Sequence, residues 1–247
     1  SKSLSLNFHR LDILAKGYGY PFEADSMNVS EDGIWETNVV TGETSLLLSL
    51  ADVVAYHPHY KVDVDIQHYI NHVTYCPDEN YVMFIHRWQE HGGTFTSRLL
   101  LFNKKEHSLS IVLDNGHVSH YCWKTDRELL IYATNGRREK GYMLVDIYSG
   151  TTELLTGLPI EDGHPSYSNE RRWILTDTYP DRRRYQYLFL FDTKEKQLLM
   201  VDRLHSPFKY YNDYRCDLHP RWSMDNRYIV VDNTSTGVRT LKVYKLK

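Results

Sequence analysis

Cysteine is scarce in this chain: the 247 residues hold three, Cys76, Cys122 and Cys216, an odd number at unrelated spacings. A disulfide framework is therefore not expected, and a reducing, cytoplasmic setting is the simpler expectation. Long apolar runs are missing as well; none approaches the roughly 18 residues of a spanning helix, and Ser1-Lys2-Ser3-Leu4-Ser5 has no signal-peptide core. Charge of one sign is also lacking. Lysine and arginine number 29 against 32 acidic residues, a net charge of −3, so no global field gathers nucleic acid or an anionic membrane. An anionic ligand has to be met by local charge. There is no glycine-rich phosphate loop, which disfavours glycosyl transfer from a nucleotide donor, and no Gly-x-Ser-x-Gly elbow, which removes a serine hydrolase. Helix signals are nearly absent.

Aromatic residues and repetition are what the chain does have. Twenty Tyr, five Trp and eight Phe suit pleated surfaces. A His followed three places later by a large aromatic occurs four times: His72-Val73-Thr74-Tyr75, His120-Tyr121-Cys122-Trp123, His164-Pro165-Ser166-Tyr167 and His219-Pro220-Arg221-Trp222. The histidines are separated by 48, 44 and 55 residues, the range of propeller blades rather than of helical solenoids. An apolar run follows each copy, then a strand ending in Asn or Asp (Asn103, Asp146, Asp192), then an outer strand such as Ser108–Leu113. The expectation is an all-β chain, a single β-propeller domain over residues 1–247 with about five blades. Residues 1–70 form an irregular or incomplete blade, and 71–116, 117–160, 161–212 and 213–247 form the others. The last blade stops after three strands, and residues 3–8 could supply the missing one. By this count the chain begins inside a blade, so an N-terminal portion is expected to be absent. Tyr56-His57-Pro58-His59-Tyr60 has the composition of a metal-binding tract but falls between blades and reads as a solvated loop.

In a propeller, equivalent positions on successive blades form a ring about the axis. If each motif opens the innermost strand, the four histidines converge on one mouth of the channel; the plainer alternative has each His hydrogen-bonding a neighbouring blade. Antiparallel connection brings His86-Arg87-Trp88, Arg98, Asp177 to Asp181 with Arg182-Arg183-Arg184, and Asp232 to the same face. Asp162-Gly163-His164 and Cys216-Asp217-Leu218-His219 supply imidazole, carboxylate and thiolate, ligand types that suit Mn or Zn, with the cysteine shifting the preference toward Zn. Asp217 could instead orient a histidine from behind.

On these residues the chain resembles the oligogalacturonate lyase family of polysaccharide lyases, over about residues 70–245 and at the level of motif order. It is also similar to propeller proteins of bacterial surface-polysaccharide gene clusters, which share the Tyr-Gly-Tyr, His-Arg-Trp, Asp-Thr-Tyr-Pro-Asp and Asp-Leu-His-Pro-Arg-Trp-Ser stretches. The lyase resemblance implies a seven-bladed propeller of which about five blades are present. It also implies a divalent metal ion, an acidic oligosaccharide as partner, and β-elimination at a uronate. In that reading His120 is the base, Arg98 the catalytic arginine, and Tyr179 or His86 the acid. Arg87, His72 and Arg182 contact substrate, and His164 and His219 with Cys216 or Asp217 hold the metal. The family has a Gln and two His around its last metal segment, where this chain has Cys216, Asp217 and one His219. The alternative is a non-catalytic propeller that binds a glycan or a protein.

Overall fold

The computed structural model describes residues 1–21, 27–57, 66–89 and 95–246; residues 58–60 of the Tyr56–Tyr60 tract lie outside them. The described chain is almost wholly antiparallel β-structure in five sheets, divided between two compact units, residues 1–118 and 119–247. Among the described residues no helix is long and apolar enough to cross a membrane. All three cysteines are free.

The first unit opens with β1 (Lys2–Leu6), the helix α1 (Phe8–Leu14), β2 (Gly33–Asn38), β3 (Thr44–Ser49) and the helix α2 (Leu50–Ala55). Each helix is started by a side-chain cap, Asn7 accepting from the Arg10 amide and Ser49 from the Asp52 amide. A four-stranded sheet follows, β4 (His68–Tyr75), β5 (Tyr81–Gln89), β6 (Phe95–Asn103) and β7 (Ser108–Leu113), in sequence order. One core joins the two sheets: Ile34, Leu48, Leu50 and Val53 pack with Ile70, Val82, Phe84, Leu100 and Phe102. Arg98 to Phe102 of β6 are buried in succession, which is why this central strand reads as a continuous apolar run.

The second unit holds β8 (Val118–Trp123, whose first residue falls in the first unit), β9 (Glu128–Thr134), β10 (Lys140–Asp146) and β11 (Thr152–Leu154). Next come β12 (Ser166–Tyr167), β13 (Trp173–Asp177), β14 (Tyr185–Asp192) and β15 (Gln197–His205), and then a three-stranded sheet of β16 (Arg221–Trp222), β17 (Tyr228–Asn233) and β18 (Thr240–Lys245). Leu130, Tyr132 and Tyr142 of one sheet pack on Tyr167, Ile174 and Phe191 of the next, and Leu175, Leu188 and Leu204 pack on Leu218, Ile229 and Val231.

The Asn or Asp that closes each third strand is a turn device. Asn103 accepts from the Lys105 and Glu106 amides, Asp146 from Tyr148 and Ser149, and Asp192 from Lys194 and Glu195. Asn38, closing β2, does the same for Val40 and Thr41. By that turn the first sheet matches the second, third and fourth strands of the others.

Three expectations are corrected. Residues 3–8 do not complete the last sheet: β1 pairs with β2 along its whole length, from Lys2 opposite Asn38 to Leu6 opposite Ile34, and Phe8 already begins α1. Residues 1–57 are more helical than expected, with both α1 and α2 in them. The His-x-x-aromatic motif does not always open its strand. His72 sits four residues into β4, at a break in register between Asn71 and Thr74 and with φ of 51°, so the strand opens on His68.

Candidate functional site

In the second unit the loops ahead of β12 and β16 are drawn together by one carboxylate. Asp177, at the end of β13, has no exposed surface. Its Oδ1 accepts from the His164 amide (2.7 Å) and lies 2.9 Å from His164 Nδ1, while its Oδ2 accepts from the His219 amide at 3.2 Å. Gly163 is what lets the first loop come so close, because a Cβ there would stand 1.9 Å from the Asp177 carbonyl oxygen. His219 follows in a left-handed conformation, φ 40°, a strained state for a non-glycine residue that is concentrated at functional sites.

The result is a file of three imidazoles. The ring centroids of His120 and His164 are 4.2 Å apart, and those of His164 and His219 are 3.9 Å apart. Each of the first two is backed by a carboxylate: Asp162 accepts from the Ser119 hydroxyl (2.6 Å) and pairs with His120 Nδ1 (3.1 Å), as Asp177 pairs with His164. Tyr179 lies beside them, its ring centre 5.7 Å from His164 and 6.2 Å from His120. The Arg215 guanidinium stacks over the Tyr179 ring at 4.5 Å, and its Nε donates to both oxygens of Asp217, at 2.7 and 3.0 Å.

Burial pushes Asp162, His164 and His219 toward neutrality, and their partners decide how far it succeeds. For Asp162 the hydrogen bonds from His120 and Ser119 outweigh burial and hold the carboxyl below its usual range. Burial pushes His164 down, yet Asp177, with Asp217 and Asp162, overrides it and leaves this imidazole more basic than usual. His219 goes the other way, lowered first by burial and then by the neighbouring His164.

One donor atom from each of His164, Asp217 and His219 lies within 4.8 Å of the others. Two imidazoles and a carboxylate suit a divalent cation, and because Asp177 occupies His164 Nδ1, Nε2 is the nitrogen left to ligate, the common carboxylate–histidine–metal arrangement. Cys216 is corrected as a ligand. It is buried and is not among the residues whose donor atoms gather here.

The other expected site residues lie elsewhere. His86 and Arg98, both wholly enclosed, belong to a cluster within the first unit. His86 Nε2 lies 3.1 Å from His68 Nδ1, Arg98 Nε donates to His86 Nδ1 at 3.1 Å, and Arg98 Nη2 donates to the Val53 carbonyl at 2.9 Å. The Trp88 ring is 5.0 Å from His86, with the Arg98 guanidinium over it at 5.7 Å. As they stand, neither side chain presents an atom to a substrate. Arg87 is half-buried, bonded to Asn71 Oδ1 and to the Val118 carbonyl. His72 is half-buried in the same unit, and Arg182 is exposed on the loop after Tyr179. Sequence reasoning assigned no role to His68 or Arg215. The alternation running back from the motif to His68-Tyr69-Ile70 could have found the first, and the Arg-x-Asp spacing of Arg215 and Asp217 the second.

No family model and no curated protein matches the chain. Solved structures do. An oligogalacturonate lyase in complex with manganese superimposes with a TM-score of 0.64 at 17% identity, over 87% of this chain and 54% of that one. TolB from Acinetobacter baumannii gives 0.57 at 10% identity, over 86% and 45%. An oligogalacturonate lyase from Vibrio parahaemolyticus gives 0.51 at 10%, over 87% and 72%. The chain thus spans about half the length of the first two. At these identities the likeness is one of fold: the chain is an all-β protein of the β-propeller class.

Proposed function

We propose that the imidazole file of the second unit is the site of a metal-dependent lyase that cleaves an acidic, uronate-containing oligosaccharide by β-elimination. The observation that carries this reading is His120, backed by Asp162 and Ser119 and 4.2 Å by ring centroid from His164, one of three residues suited to hold a cation. The manganese-bound oligogalacturonate lyase among the structural neighbours supports it by fold only.

Cleavage requires the proton α to the sugar carboxylate to be removed and the glycosidic oxygen on the adjacent carbon to leave. Asp162 accepts from His120 Nδ1–H, which makes Nε2 the basic nitrogen, as in other carboxylate-oriented histidine bases. The C–H electron pair becomes the new carbon–carbon double bond as the C–O bond breaks. In this reading Tyr179 gives the departing oxygen its proton, and the proton taken by His120 then returns to Tyr179 by way of solvent, restoring both groups. Arg215, stacked on Tyr179, meets the substrate carboxylate and stabilises the charge that builds there. A divalent cation held by His164, Asp217 and His219 would supply further neutralisation of that carboxylate, which makes the α proton more acidic.

Incubation of the manganese-loaded protein with a panel of uronate oligosaccharides should release unsaturated, ultraviolet-absorbing ends, and His120→Ala should lower the rate at least about a hundredfold. Continued absence of product across the panel would leave the site without this activity and favour a non-catalytic binder.

A further inference from the structure

Between β15 and β16 the chain makes a long excursion, residues 206–220, that runs into Arg215, Asp217 and His219. Its large side chains are left in water: Phe208 is 74% exposed, Tyr211 59% and Tyr214 70%. Such exposure on one short segment is costly, since apolar area removed from water is stabilising at about 25 cal/mol per Å². The loop is nonetheless firmly built. The buried Arg184 donates its Nε to the Ser206 carbonyl (3.0 Å) and its Nη2 to Ser206 Oγ (3.1 Å) and the Tyr210 carbonyl (2.6 Å). Its guanidinium lies 5.7 Å from the rings of both Phe208 and Tyr211. Tyr210 donates to the Gly237 carbonyl, and Arg239 donates to the Tyr214 carbonyl. The rings are held out rather than left loose.

Cations alternate with the rings. Lys209 and Arg239, both exposed, lie 5.2 and 5.8 Å from the ring of Tyr210, and Arg182 and Arg183 are exposed on the adjoining loop after Tyr179. The acidic side chains of residues 206–220 are Asp213 and Asp217, and Asp217 is engaged by Arg215. Cations set among the rings favour an anionic occupant over a neutral, purely apolar one. Flat rings interspersed with cations match a polymer of anionic sugars, each with an apolar C–H face and a carboxylate at its rim.

We propose that Phe208, Tyr211 and Tyr214, with Lys209 and Arg239, form a platform that binds the further sugar units of an acidic oligosaccharide whose reacting end lies at the imidazole file. The proposal rests on the lyase reading for its ligand class. The platform sets a preference for longer chains, because only sugars beyond the reacting pair are left to lie on it.

Calorimetric titration of oligogalacturonates of increasing length into the full chain tests this without requiring turnover. The expected result is tighter binding of the hexamer than of the dimer. Tyr211→Ala and Tyr214→Ala should each weaken the hexamer about 2- to 10-fold and leave the dimer unchanged, Tyr214→Trp should restore binding, and a carboxyl-reduced hexamer should bind worse. Turnover, where it occurs, should show the loss in KM for the hexamer with kcat kept. Hexamer binding that is equal in wild type and both variants overturns the platform, whether or not product forms. Loss of binding in the variants with no product in wild type keeps the platform and removes the lyase. Concentration-dependent self-association that vanishes in the same variants assigns the surface to a second copy and overturns the proposal.

Discussion

Each unit gathers histidines at the ends of its strands, and the two gatherings are opposite in character. In the first unit His68 and His86 are sealed in with Trp88 and a cation, Arg98. In the second, His120 and His164 are backed by Asp162 and Asp177, and His219 reaches solvent. The partner's charge separates them. Burial, and then the guanidinium beside it, hold His86 neutral and make it a structural hydrogen-bond acceptor, whereas the carboxylate behind His164 raises that ring's basicity and fixes its other nitrogen for a proton or a metal. Histidine alone says little about role; what stands behind it says much more.

Removing the cation should have the largest effect on stability. Arg98→Ala strips the donor from His86 Nδ1 and from the Val53 carbonyl in a fully enclosed place, and a loss of about 3 kcal/mol is expected in urea unfolding. A variant as stable as wild type would show that Arg98 is not what closes this cluster.

Acid comes next. His86 is held well below its ordinary value of 6.5, first by burial and then by Arg98 and His68. Below that value the unfolded chain takes up a proton that the folded chain refuses, so this contribution is full above 6.5 and declines as the pH falls. Stability measured between about pH 7.5 and pH 5 should drop on the acid side, and His86→Gln should flatten the curve. An unchanged slope would place the acid sensitivity elsewhere.

The smallest effect on stability is expected in the second unit. His164→Ala should cost about 1 kcal/mol, because Asp177 keeps its bonds to the amides of residues 164 and 219. Manganese binding, followed by titration calorimetry, should nevertheless fall at least about tenfold. A His164→Ala protein that binds manganese like wild type would break the contrast between the two clusters.

Much of the fold was legible because repetition needs little tertiary information. Apolar runs such as Tyr81–Ile85 mark second strands because those strands are enclosed on both faces, and Asn103, Asp146 and Asp192 mark third-strand ends because their carboxamide or carboxylate must hold the following turn. The convergence of His120, His164 and His219 followed from the same spacing. Less legible was what departs from the repeat: the bulge that displaces His72 and makes His68 the strand opener, the short helices α1 and α2, and the pairing of β1 with β2. Local pattern does not report a register shift, since the alternation on either side of it looks intact.

Sequence by itself determined the all-β character, the number and order of the sheets, and the residue types available for chemistry, because periodicity and turn residues act over a few positions along the chain. Only the tertiary structure decided which charge stands behind which ring. Asp177 backs the ring of His164 and takes the amide of His219 from 42 residues away, Asp162 reaches the ring of His120 across another 42, and Arg98 closes on His86 from the neighbouring strand. Such pairings depend on angstrom-scale approach between strand ends and loops, which composition and spacing do not encode.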